Sequence, residues 1–246
     1  MRPKLLTRCA PLALILALST AGCSVFRAPP PLTPETAYQR GMAAYEARRF
    51  GRAAELLQTW VDASAGDPRL PEGLYALGRA RMETHEQLMA ATTFLRIVTE
   101  FPATPRQEDA RFGVCEAYRT LSPKTALDQE NTETALLYCG SYVEYYGQTA
   151  RSDRARLWVA ELRDKLARKS YEAGMWYFRR GAFDASVIYF QRAATEYPDT
   201  PTAPQALLQM ALAYDRVGYK EEAQETRAKL RQSYPQSPEA RTLPPA

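Results

Sequence analysis

Four cysteines, at positions 9, 23, 115 and 139, and a single histidine, His85, are the side chains best suited to covalent or acid-base chemistry. A thiolate can be acylated, oxidised or bound to a metal, and an imidazole can carry a proton near neutral pH. Catalysis would need partners for them at fixed spacing. No nucleophile elbow, metalloprotease helix or phosphate loop is written in the chain. His85 has no second ligand or base partner that can be named, so it reads as a solvated turn residue between two helices. No catalytic or metal-ligating residue is assigned and no cofactor is implied. What remains is cysteine as an attachment point or cross-link, and aromatic and charged side chains as a binding surface.

Cys23 is the attachment point. Arg2, Lys4 and Arg8 precede "PLALILALSTAGC", a positive region, a short apolar stretch and small residues before a cleavage point, too short to span a bilayer. The ending "LSTAGC" resembles the lipobox of bacterial lipoproteins, with Thr20 where leucine is usual. The resemblance implies that residues 1–22 are a signal peptide and that Cys23 carries diacylglycerol and an N-linked acyl chain. Ser24 in the following position implies the periplasmic face of the outer membrane. Of the 32 Lys and Arg residues three lie in the signal segment, which leaves 29 against 28 acidic residues and speaks against nucleic acid as a partner. The prolines of "SVFRAPPPL" make residues 24–32 an extended tether with a reach of about 28 Å, and residues 23–33 are read as lipidated cysteine and tether.

The elements that position everything else are repeats. "TEFPATP", "TEYPDTP" and "QSYPQSP" recur, and "VEYYGQTARS" is a related turn without the proline. Leu74, Leu77 and Gly78, then Ala90 and Phe94, then Pro102 follow the spacing of a tetratricopeptide helix pair. Gly78 and Ala90 stand where two antiparallel backbones approach, Leu77 and Phe94 fill the space beside them, and proline ends the second helix. The same interval fits Gly41 and Ala53, Gly174 and Ser186, and Ala211 and Ala223; from Gly113 to Ala135 it is stretched by an insertion. The expected fold is an all-α, right-handed tetratricopeptide-repeat solenoid of about five helix pairs. The repeats are read at about 34–67, 71–104, 106–149 (with the insertion), 152–200 and 204–237, within a solenoid of residues 34–238 and before a tail of 239–246. A Thr or Ser after each turn is expected to cap the next helix. With 46% apolar and 24% charged residues, the composition suits such a fold.

Three features narrow the family: the insertion "TLSPKTALDQENTETALLYCGSYVEYYGQT", the long helical stretch 152–180, and "YEAGMWYFRRGAFDAS" leading to "EYPDT". With the lipobox they resemble the BamD family, the tetratricopeptide lipoproteins of the outer-membrane barrel assembly machinery. The resemblance implies a non-enzymatic scaffold. Its partners would be the barrel-assembly insertase (BamA-like), other assembly lipoproteins and the C-terminal segments of unfolded outer-membrane proteins. A repeat lipoprotein serving the Tol system or peptidoglycan synthases is the alternative, but has no reason to carry "LDQENT".

Two groups of residues are then candidates. Tyr38, Met42 and Tyr45 share a face of the first helix, and Tyr75, Arg79 and Met82 repeat it one unit later. In such stacks that face lines the concave groove, so these six form the candidate client groove: an apolar, aromatic strip with one arginine for a terminal carboxylate. Cys115 and Cys139 fall on the paired helices of the third repeat, in an oxidising compartment. The sequence admits either a bridge or two buried free thiols.

Overall fold

The computed structural model describes residues 32–243. Cys23, the signal segment and most of the tether lie outside the described residues. From Pro34 the chain is helical: α1 (Pro34–Glu46), α2 (Phe50–Ala63), α3 (Leu70–Glu83), α4 (Gln87–Glu100), α5 (Gln107–Leu121), α6 (Glu130–Tyr146), α7 (Ala150–Arg179), α8 (Phe183–Glu196), α9 (Thr202–Val217), α10 (Lys220–Ser233) and the short α11 (Pro238–Arg241). Each of α1 to α10 packs on the next, as antiparallel pairs joined by short turns must. The first helices of the pairs also touch along the row, α1 on α3, α3 on α5, α5 on α7 and α7 on α9. No second helix reaches another second helix among the described residues. The stack is therefore tighter on the first-helix side, which makes that side the concave one.

Close approach explains the small residues. A Cβ on Gly78 would meet the Phe94 ring at 2.5 Å, and one on Gly113 would meet the same ring at 2.7 Å. Phe94, fully buried, is thus a wedge between α3 and α5 as well as the filler of its own pair. Gly174 stands against Phe190 in the same way, at 2.6 Å. Three cores result: one around Trp60 and Phe94, one around Phe112, Tyr142 and Trp158, and one around Phe190 and Leu207. The N-terminal half of α7, with Trp158 and Leu162, belongs to the second core, and its C-terminal half, with Met175 and Phe178, packs on the third. One helix thereby serves two repeats.

Four of the turns within pairs place a residue at positive φ: Arg48 at 56°, His85 at 63°, Gly181 at 77° and Gly218 at 98°. His85 is an exposed turn residue in the left-handed region, which reverses the chain after α3. The caps differ from expectation. Thr149 and Ser237 do accept a bond from the helix backbone, from Ser152 N and Ala240 N. Thr200 instead donates to the Tyr197 carbonyl at 2.8 Å, and neither Arg106 nor Pro201, the residues at the cap positions of α5 and α9, supplies a capping side chain. In the α5 copy Thr104 accepts a long bond from Arg106 N at 3.4 Å, one residue short of the helix, so in neither copy does the threonine reach the helical backbone. In the stretch read as a tail, 239–246, α11 occupies the start, and Ala240 and Leu243 pack on the last core.

The third pair carries the insertion as an ordered wall. Gln129, buried in the loop between α5 and α6, donates to the carbonyls of Lys124 at 2.9 Å and Leu127 at 3.0 Å. Its own amide oxygen accepts from Thr132, which also bonds Ser122. A buried polar group costs free energy unless it is bonded, and here each is satisfied within the loop. Lys165 of α7 reaches Ser122 at 2.8 Å and Lys169 bonds the Leu127 carbonyl, which fastens the loop to the next repeat. Behind it, Cys115 of α5 and Cys139 of α6 are joined by a disulfide, both fully buried, with Cα atoms 4.7 Å apart.

Candidate partner-binding surfaces

The six residues of the candidate groove are all half-buried on the first-helix side, but they do not form one open strip. Tyr38 leans on Trp60, ring centroids 4.6 Å apart, and the Arg69 guanidinium lies over it at 4.5 Å. Arg69 is held there by Glu35 at 3.0 Å and Asp67 at 2.8 Å. The pattern recurs 37 residues on: Arg106 covers Tyr75 at 4.5 Å and is held by Glu72 at 2.6 Å and Asp109 at 2.7 Å. A third copy sets Arg151 over Phe112 at 5.8 Å, with Asp109 at 2.6 Å. Each arginine comes from the start of the following first helix or the turn before it, so the ladder seals the seams between repeats. Arginine suits the task because its planar fork can stack on a ring and bind carboxylates in one pose.

The electrostatics agree with the geometry. Bonds from Arg69, foremost, and from Gln39 hold the Glu35 carboxyl below its usual range. Burial is the strongest influence on Asp109 and opposes its ionisation, yet Arg106 and Arg151 together outweigh it and keep the group below the ordinary aspartate value. At the same seam burial, followed by the hydrogen bond to Glu108, pushes the Tyr142 phenol up to about 12. Tyr38 and Tyr75 are thus seam residues with one ring face covered.

Arg79 is also engaged. It pairs with Glu116 of α5 at 2.6 Å, and with Glu83 at 3.8 Å. A terminal carboxylate would have to displace Glu116, which corrects the expectation that this arginine stands ready. Glu116 was not found from the sequence, although the 37-residue interval from Arg79 was available to find it. Met42, Tyr45 and Met82 remain as the accessible apolar part, half-buried on the first core.

A second surface emerges on the third and fourth repeats, where sequence reasoning placed no site. The insertion loop, α7 and α8 enclose a cleft of about 460 Å³ around Trp176, Tyr177 and Tyr189. An adjoining one of about 290 Å³ continues along α7 to Leu166. Tyr177 and Tyr189 stack at 5.2 Å, and Trp176 stands edge-on to Tyr177 at 4.8 Å. Trp176 is 45% exposed, unusual for the largest side chain in a folded protein. "GMWYFRR" was the available signal, since three consecutive aromatics at a helix end cannot all face inward. Among the described residues no group of acidic, histidine or cysteine side chains could hold a metal ion, and no helix is long and apolar enough to cross a membrane.

Helix pairs stacked through glycine-aromatic contacts, with partner-sized surfaces and an ordered insertion, define a helical-repeat scaffold of the tetratricopeptide class. Residues 30–230 match the family model described as Outer membrane lipoprotein (YfiO), and the chain belongs to that family. The Outer membrane protein assembly factor BamD of Caulobacter vibrioides is 29% identical over 140 residues, covering 57% of this chain and 46% of that protein. The chain thus matches about half the length of this curated relative. Solved structures with some likeness include a thermophilic TPR protein of Thermus thermophilus (21% identity, 85% of this chain, 95% of that one, TM-score 0.39). MamA of Desulfovibrio magneticus RS-1 is another (16% identity, 83% and 97% coverage, TM-score 0.36). Scores this low carry no argument, and the fold rests on the packing described above.

Proposed function

We propose that this chain is a non-catalytic scaffold of outer-membrane β-barrel assembly. In this reading it is held at the periplasmic face by lipid on Cys23, and it joins a BamA-like insertase and other assembly lipoproteins to unfolded outer-membrane proteins. The observation that carries the reading is the family match, which runs through the insertion and the long α7 rather than through generic repeats alone. The client surface is Met42, Tyr45 and Met82, on the concave side of the first two repeats, where an amphipathic strand can lay apolar side chains. The last two repeats, built on their own core, are the surface for the insertase.

Photo-crosslinking from positions 45 and 82 in native membranes, set against positions on α9 and α10, tests this. Barrel-protein C-termini should be trapped by the first pair and an insertase by the second. Recovery of Tol components or peptidoglycan synthases with no insertase would overturn the reading. The anchor is tested separately: Cys23→Ala should move the protein out of the membrane fraction and abolish lipid labelling.

A further inference from the structure

Trp176, Tyr177 and Tyr189 mark one end of the cleft on repeats three and four, and its other end is acidic. Asp128, Glu130, Glu133 and Glu196 line that end against Lys169 and Arg192. Arg192 neutralises Glu196 at 3.5 Å and Lys169 is turned onto the Leu127 carbonyl, so Asp128, Glu130 and Glu133 are left without an ion-pair partner among the described residues and the cleft end keeps an acidic excess. Ser170 and Ala173 form the floor, and their small side chains keep it open. The wall opposite α8 is the loop fixed by Gln129, so the shape exists before anything binds.

From the geometry we infer a docking site for an extended segment of a partner protein, about five residues long, with an aromatic or long aliphatic residue at one end and lysine or arginine at the other. Length follows from the lining: Leu166 to Tyr177 is about 16 Å of helix at ~1.5 Å per residue, which a strand at ~3.3 Å per residue spans in about five residues. The polarity of the segment follows from charge complementarity, since a basic group entering the acidic end meets the unpaired Asp128, Glu130 and Glu133 while an apolar side chain lies against the part of Trp176 that lines the cleft and that Arg180 leaves exposed.

The inference rests on the cleft alone, so its failure leaves the assembly reading standing. The test uses the purified chain from residue 24 and an immobilised array of pentapeptides randomised at every position. Bound peptides should be enriched in aromatic or long aliphatic residues at one end and Lys or Arg at the other. Trp176→Ala, and separately Glu130→Gln with Glu133→Gln, should each weaken the best peptide at least tenfold, while Leu88→Ala, at an exposed position of α4 outside both proposed surfaces, leaves it unchanged. Exchanging the basic residue of the peptide for Glu should abolish binding without touching the protein, which keeps the test intact should a variant prove unstable. No enrichment, enrichment indifferent to peptide charge, or equal loss with Leu88→Ala would overturn the proposal.

Discussion

Tyr75 and Trp176 both project from first helices and each has an arginine over its ring, yet one arginine is pinned across a seam and the other is not. Arg106, pinned by Glu72 and Asp109, lies on Tyr75. The arginine over Trp176 is Arg180 of the same helical end, 3.6 Å above the ring, with no acid paired to it among the described residues, and the indole is still 45% exposed beside Tyr177. Position along the helix accounts for the difference. The seam arginine reaches residues near the start of a first helix, and at 30 residues α7 carries Trp176 about 38 Å beyond its own seam at Arg151. Aromatic residues at the start of a first helix therefore become joints, while those at the end of the long one become surface.

The contrast can be broken most forcefully in the sealed part. Phe94→Ala removes the wedge that fills α3 and α5 together and should cost about 3–5 kcal/mol, whereas Trp176→Ala should change stability by no more than about 0.5 kcal/mol. Urea denaturation of the two variants decides it, and equal losses would mean that the cleft is core. Next in size is the cross-link within the third pair, which lies between the two regions in the chain. Replacing Cys115 and Cys139 by alanine should cost about 3 kcal/mol, from the loop of 24 residues that the bridge closes, read as a lowered midpoint. Mass analysis of the parent after unfolding without reductant should find no alkylatable thiol at these two positions.

Arg106→Met sharpens the seam argument, with an expected loss of about 1 kcal/mol that shrinks at high salt. It should also change the acid limb. The pKa of Asp109 is depressed in the fold, so its contribution is full above the unfolded aspartate value of about 4 and fades as pH falls through the lower folded one. Without Arg106 that fading should shift upward, measurable as stability between about pH 2 and 5. The smallest effect is at the turns: His85→Gly and Arg48→Gly should each stabilise by about 0.5 kcal/mol, because relief of the left-handed strain slightly exceeds the entropy glycine adds to the unfolded chain.

The repeats were legible because Gly78, Ala90 and Phe94 act over one helix pair, and a fixed interval carries that contact from copy to copy. His85 was legible as a turn for the same reason. The groove was only half legible. Spacings of three and four put Tyr38, Met42 and Tyr45 on one face, but whether a ring is covered depends on Arg69, delivered by another repeat across the seam. Arg79 looked free because its partner Glu116 sits one repeat away. The cleft was illegible for a different reason: it exists only because Gln129 folds a polar loop into a wall, and a buried glutamine is indistinguishable by composition from a solvated one.

The disulfide has a mechanical meaning as well. A stack in which each helix holds mainly its neighbours yields to tension one unit at a time, like a zip opened from its end. A chain lipid-anchored at one end and gripped by a partner at the other would feel such tension. The bond between Cys115 and Cys139 withdraws the 24-residue stretch between them from the extensible length, about 80 Å of contour at ~3.4 Å per residue. It turns the middle of the molecule into a stop, at which unravelling from either side loses reach.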